Sequence, residues 1–305
     1  MGQVYTSPTS ISAGGLFVNV SLNDPRNVAV LVFMVFVGAF FALSEHFNLH
    51  MPYSKFARED TLGEVKLQWF QKLFRARMPS RPGFFLLYFV PFVSYLVMWI
   101  AFAVQNTRVI GAIAPSPGYS IVLLVMWLSS FFKRCVEVLF VHVYSGDIPV
   151  VSSVAIALGY STMGVLSLFY ANQVVGYTAF GTDTVVKDSI AVALYVIGFL
   201  GNFYGHYQLR VSRLKKAADG SKRYLAPYEI GILFKWFICP HYLFEIVLFA
   251  GFALFGATTI HYIIGFGVMG YLSGRTISTY KWYASKGLLT GSSSESLKAV
   301  SPSSL

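Results

Sequence analysis

Apolar runs too long and too numerous for one soluble core set the first limit on what this chain can fold into. A bilayer's hydrocarbon layer is about 30 Å thick, and a helix needs roughly 17 to 25 apolar residues to cross it. Stretches of that kind lie at 27–44, 84–104, 119–142, 148–172, 188–207, 229–256 and 258–273, the sixth interrupted by Pro240. Of 305 residues, 55% are hydrophobic, 17% aromatic and only 12% charged, with a mean hydropathy of +0.60, well outside the range of a soluble domain. The sequence therefore predicts an all-α integral membrane protein, a bundle of about seven transmembrane helices.

The net charge of +10 says where the loops lie. Lys55, Arg58, Lys66, Lys72, Arg75, Arg77 and Arg81 fall between the first two apolar runs, and Arg210, Arg213, Lys215, Lys216, Lys222 and Arg223 between the fifth and sixth. Basic residues gather in cytosolic loops, so both loops are expected there, and nucleic acid is not expected as a partner. Lys133, Arg134, Arg275, Lys281, Lys286 and Lys298 fall on the same side, while the opposite loops carry only Arg108 and Lys187. The arrangement that satisfies every loop has a lumenal N-terminus and a cytosolic C-terminus. It divides the chain into a lumenal segment 1–26, a membrane domain 27–286 and a Ser-rich cytosolic tail 287–305. MGQVYT fits a myristoylation pattern that needs a cytosolic N-terminus, and Asn19-Val20-Ser21 a glycosylation sequon that needs a lumenal one; both cannot be used.

Several short patterns have plain explanations. Cys135 and Cys239 offer neither metal spacing nor a disulfide framework. His46 and His50 have i, i+4 spacing, yet the other histidines, at 142, 206, 241 and 261, are scattered singly, so no metal site is expected. GFGVMG at 265–270 lacks the strand and helix of a dinucleotide fingerprint and reads as close helix packing.

Polar groups inside apolar runs are harder to dismiss, because a charge at mid-bilayer costs a few kcal/mol or more. CPHYLFEIVLF at 239–249 holds His241, Tyr242 and Glu245; FFKRCVEVLFVHVYSGDIP at 131–149 holds Arg134, Glu137 and His142; GNFYGHYQLRVSRLKK at 201–216 holds Asn202, His206, Gln208, Arg210 and Arg213. Converging guanidinium groups suit a phosphate-rich ligand. Loop charge plus an Arg134–Glu137 pair on one helix face accounts for the same residues.

FFKRCVEVLFVHVYSGDIP, GNFYGHYQLR, YLAPYEIGILFKWFICPHYLFEI and GRTISTYKWYASKG, in this order, resemble the C-terminal half of the steroid 5-alpha-reductase family over about residues 125–286. That family includes 3-oxo-5-alpha-steroid 4-dehydrogenases, polyprenol reductases and trans-2-enoyl-CoA reductases. The resemblance implies a seven-span bundle of the endoplasmic reticulum membrane that reduces a lipid carbon–carbon double bond with NADPH. It implies that Asn202, His206, Arg210, Tyr224, His241, Glu245, Arg275 and Tyr283 hold the cofactor, with Arg134 and Arg213 as further partners for its phosphates.

The N-terminal half departs from the pattern. SRPGFFLLYFVPF at 80–92 is similar to the second span of the steroid-reducing members, but their Gln-Glu pair is replaced by Leu87 and Tyr88. LFVHVYS and GNFxxH are closer to the enoyl-CoA reductases. A steroid-type enone heads the expected substrates, with an enoyl-CoA or a polyprenol as alternatives. Reducing an enone requires a hydride donor and a hydrogen-bond donor at the carbonyl oxygen where charge develops. For the second role Tyr88 is the first candidate, with Tyr242 and Tyr283 as substitutes, since a phenol in an apolar pocket stays protonated. A seven-span receptor is disfavoured because the chain lacks both an Asp-Arg-Tyr triplet after the third run and an Asn-Pro-x-x-Tyr in the seventh. A non-catalytic lipid-binding protein that kept the fold is the remaining rival.

Overall fold

A computed structural model describes residues 76–108, 117–144, 146–172, 174, 177–220 and 224–289, with six positions between 28 and 36. The Gly2 and Asn19 motifs, His46 and His50, most of the 27–44 and 45–83 segments, and the tail from 290 onward lie outside the described residues.

The described chain is mostly helical. Helix α1 (Ser80–Arg108) is followed by α2 (Pro117–Val136), which runs into a π-helical turn at Glu137–Val141. Helices α3 (Val150–Ala171) and α4 (Val185–Ala218) come next, then a four-residue α5 (Pro227–Ile230), a 3-10 turn (Leu233–Lys235), α6 (Pro240–Gly256) and α7 (Thr259–Ser285). Three of these are long and apolar enough to cross a membrane, Ser80–Val104, Val150–Ala171 and Val185–Ala218, and Pro240–Gly256 is a shorter apolar helix.

The expected span 229–256 is corrected: its helix starts only at Pro240. Proline carries no N–H and disfavours a helical residue before it, so it suits the first turn of a helix and ends whatever precedes it. The fifth run extends at both ends, to Val185 and Ala218; its C-terminal flank continues because it is rich in good helix formers even where they are polar.

Strand β1 (Arg77–Pro79) pairs antiparallel with β2 (Asp147–Pro149), Met78 opposite Ile148. Ser80 Oγ adds a hydrogen bond to the Gly146 carbonyl at 2.8 Å. This clip sets the starts of α1 and α3 side by side, and the two helices pack along each other. Helices α4 and α6 make the closest pair, because glycines let their backbones meet. A Cβ on Gly198 would lie 2.3 Å from the Leu248 backbone nitrogen, and one on Gly251 2.5 Å from that of Tyr195. Trp127 sits at the centre of the aromatic core, stacked on Tyr95 at 5.2 Å and tilted against Phe252 at 5.5 Å.

Lys187, expected as an isolated loop charge, is buried instead. Its Nζ donates to the Leu254 carbonyl at 3.0 Å and pairs with Asp188 at 2.8 Å, and Tyr177 donates to Asp188 at 2.5 Å. A cation at the last carbonyls of α6 completes that helix end, and the carboxylate beside it neutralises the charge.

Candidate active site

A cavity opens between α1, α2, α3, α4 and α6, lined on its polar side by Tyr88, Lys133, Arg134, Asn202 and Glu245 and on its apolar side by Phe131, Leu248 and Phe249. A helix brings residues three and four apart onto one face. In α2 that rule stacks Lys133 and Arg134 over Glu137, which opens the π-helical turn. Glu137 is fully buried and meets Lys133 Nζ at 3.4 Å and Arg134 Nη1 at 2.9 Å. Single π turns occur preferentially at functional sites.

Arg134 organises the site. Its Nη2 donates to the Tyr88 hydroxyl at 2.5 Å, and its carbon centre lies 4.6 Å from the Tyr88 ring centroid. Its Nη1 also reaches His206 Nε2 at 2.5 Å. A guanidinium can only donate, so Nε2 accepts and the proton of the neutral ring sits on Nδ1. That buried Nδ1 has no hydrogen-bond partner. Lys133 donates to Asn202 Oδ1, while Asn202 Nδ2 donates to the His241 carbonyl at 2.8 Å and, more weakly, to Glu245 Oε2 at 3.4 Å. The result is a polar chain from Tyr88 on α1 to Glu245 on α6 in which two cations face two carboxylates. Buried charges need such pairing, because each is costly alone.

The imidazoles cluster beside this chain. His206 lies edge-on to His142 at 4.7 Å and 5.1 Å from His241, whose ring is 4.3 Å from that of Tyr242. Glu137, His142 and His206 each offer a ligand atom within 4.8 Å of the others, a spacing that a metal ion could use. Arg134 is already bonded to two of the three.

Of the residues predicted from sequence, Tyr88, Arg134, Asn202, His206, His241 and Glu245 come together here. Arg210 and Arg213 do not point into the cavity. Arg210 donates to the carbonyls of Phe140 and Val141, and Arg213 to that of Val143 at 2.5 Å, so both hold the exit of the π turn. Arg275 and Tyr283 are buried on α7. Burial pushes the Tyr283 phenol up to about 12, with Cys239 and the charge of Arg213 close by. Burial likewise raises the phenol of Tyr144, in the loop after the π turn. Tyr224 is exposed, its ring edge-on to Trp282 at 4.9 Å. Sequence reasoning treated Lys133 as loop charge and missed Tyr160 in the lining. The signal for Lys133 was its place four residues before a glutamate inside an apolar run.

These features bear directly on the comparisons with known proteins. Residues 147–287 match the family described as 3-oxo-5-alpha-steroid 4-dehydrogenase. The C-terminal region is thus similar to the steroid 5-alpha-reductase family. The matched segment takes in α3 to α7, and with them Asn202, His206, His241 and Glu245, whereas Arg134 and Glu137 lie before it. Two curated relatives are similar over a comparable length. One, from Trypanosoma brucei brucei and named as an enoyl-CoA reductase, is 31% identical over 175 residues, 56% of each chain. The other, a very-long-chain enoyl-CoA reductase of Dictyostelium discoideum, is 27% identical over 186 residues, 61% of this chain and 58% of that one. The match thus spans little more than half the length of these relatives. Both of these relatives are named for the reduction of an enoyl-CoA.

Proposed function

We propose that the protein is an NADPH-dependent reductase of a lipid carbon–carbon double bond conjugated to a carbonyl, working in the endoplasmic reticulum membrane with its N-terminus lumenal and its C-terminus cytosolic. The observation that carries the chemistry is the Tyr88–Arg134 pair at the wall of a cavity that Asn202 and Glu245 also line. Both curated relatives are named for enoyl-CoA reduction, which favours an enoyl thioester; the family's description favours a steroid enone.

The residues fit a nicotinamide cofactor. The Glu245 carboxylate accepts hydrogen bonds, as a carboxamide requires, and His206, whose Nε2 is bonded to the cavity-lining Arg134, keeps a buried Nδ1–H without a partner. Asn202, His206, His241 and Glu245 would hold the group's reactive end, and Arg275, Tyr283 and Tyr224 its remainder. When bound, the reduced cofactor supplies the hydride that adds to the carbon beta to the carbonyl.

The chain's own residues do the rest. Tyr88 accepts a hydrogen bond from a cation, which polarises its O–H toward a substrate carbonyl. Charge that develops on that oxygen is met by a donor already in place, within a water-poor bundle where such contacts are strongest. Glu137 holds Arg134 from the far side, so the donor does not have to reorganise. The phenol stabilises the enolate as it forms, and a proton delivered to the alpha carbon completes the reduction. Phe131, Leu248 and Phe249 exclude water and offer an apolar wall to a lipid chain.

The purified protein in lipid nanodiscs should oxidise NADPH in the presence of a trans-2-enoyl-CoA or a steroid enone, with one saturated product formed per NADPH consumed. A binding-only protein of the same fold would take up NADPH and consume none.

A further inference from the structure

Between α4 and α6 the stretch 227–239 forms only the four-residue α5 and one 3-10 turn. Its two sides differ sharply. Pro227, Phe234 and Cys239 are buried, whereas Tyr228, Ile232 and Trp236, each four residues from the last, are 38%, 58% and 62% exposed, with Phe237 and Lys235 beside them. The inner side is fixed to the bundle at two points. Phe234 stacks on the His241 ring at 6.0 Å, and the Leu233 N–H donates to Gln208 Oε1 at 3.3 Å. Gly231 permits this contact, since a Cβ there would lie 2.6 Å from Gln208 Cδ.

Helix lengths place the stretch along the membrane normal. The 17 residues of α6 rise about 25 Å, less than the roughly 30 Å hydrocarbon layer, so the whole helix is used in crossing and Pro240 stands at its edge. On α4, Gln208 lies about 35 Å along the axis from Val185, which is again about one crossing. Both anchors of the stretch therefore sit at the same boundary.

Chemistry narrows the position further. Short irregular turns leave backbone groups that hydrocarbon cannot satisfy, which rules out a lipid-tail setting for the outer side. A wholly aqueous setting would leave Ile232 and Trp236 in water as part of one apolar patch. The headgroup layer suits both the backbone and the side chains: tyrosine and tryptophan concentrate there, and a lysine reaches from it to water.

We propose that residues 227–239 form an interfacial strap, with Tyr228, Ile232, Trp236 and Phe237 seated at the boundary between phospholipid headgroups and acyl chains while Phe234 clamps its inner side against His241. The proposal rests on the bundle crossing the membrane and is independent of the reductase reading.

The test uses the full-length chain with Cys135 and Cys239 replaced by alanine, carrying Trp236→Cys or, separately, Ile232→Cys, each labelled with an environment-sensitive fluorophore in phosphatidylcholine nanodiscs. Nitroxide-labelled lipids then report depth. Both positions should be quenched several-fold more by a nitroxide at the headgroup or near the top of the acyl chain than by one near the chain's methyl end. Strongest quenching by the deep nitroxide would mean that the stretch spans the membrane, and no quenching by any lipid would mean that it faces water or protein. Either result overturns the strap, and neither bears on NADPH oxidation, which is measured apart.

Discussion

Arg134 Nη2 donates to the Tyr88 hydroxyl at 2.5 Å, joining the last turn of α2 to the third turn of α1. The same guanidinium reaches Glu137 and His206, so a single side chain sets the position of three polar groups. Lysine keeps the charge but lacks the rigid fork of five donors. Arg134→Lys should therefore lower kcat by roughly ten-fold or more, the cost of about one charge-assisted hydrogen bond at 1.4 kcal/mol per decade. Steady-state NADPH oxidation measures it, and an unchanged kcat would remove Arg134 from the orienting role.

Glu137 is fully buried between Lys133 and Arg134. Removing one member of a buried pair while leaving its partners in place costs about 3–5 kcal/mol. Glu137→Gln should lower the melting temperature of the detergent-solubilised protein by several degrees, whereas Glu137→Asp should recover part of the loss. A melting temperature equal to the parent's would show that the pairing contributes nothing to stability.

Two glycine substitutions should act in opposite directions. An added Cβ at Gly198 meets the backbone of Leu248 at 2.3 Å, so Gly198→Ala must push α4 from α6 and should cost about 1–3 kcal/mol. At Gly159 the added Cβ meets nothing within 4 Å, and Gly159→Ala should be neutral or stabilise α3 by up to about 1 kcal/mol. Thermal unfolding of both variants compares them in one experiment.

Glu245 shares the weak Asn202 contact and lines the cavity. If it accepts from a nicotinamide carboxamide, Glu245→Gln presents the wrong donor pattern at a half-buried site. The expected loss of about 1–3 kcal/mol corresponds to a roughly 5- to 150-fold weaker NADPH dissociation constant. Titration of parent and variant, with melting temperatures compared without cofactor, separates a lost contact from misfolding.

Much of this site could be read from the chain because its signal is polarity where hydropathy forbids it. Arg134, Asn202, His206, His241 and Glu245 each interrupt an apolar run, and the fold brings all five within reach of one another. The contacts of Arg210 and Arg213 were not legible: whether a surface arginine meets a ligand or a neighbouring carbonyl depends on where the 140–143 turn ends, and no local pattern encodes that. Lys187 was misplaced for a related reason. Its partners Leu254 and Phe255 are far along the chain, so only the packing of α4 on α6 shows that it completes a helix end. The helix start at Pro240 is encoded by the proline itself, whose geometric effect overrides the continuity of the apolar run.

The most direct test of the account compares Tyr88→Phe, Tyr242→Phe and Tyr283→Phe with the parent, following NADPH oxidation with a trans-2-enoyl-CoA or a steroid enone, whichever the parent reduces. Loss of one donor to a developing oxyanion lowers kcat by about 10²–10³-fold. Tyr88→Phe should fall in that range with its NADPH dissociation constant unchanged, while the other two retain kcat within a few-fold. A Tyr88→Phe variant as fast as the parent, or a larger loss at Tyr242 or Tyr283, would contradict the assignment of Tyr88 as the carbonyl donor.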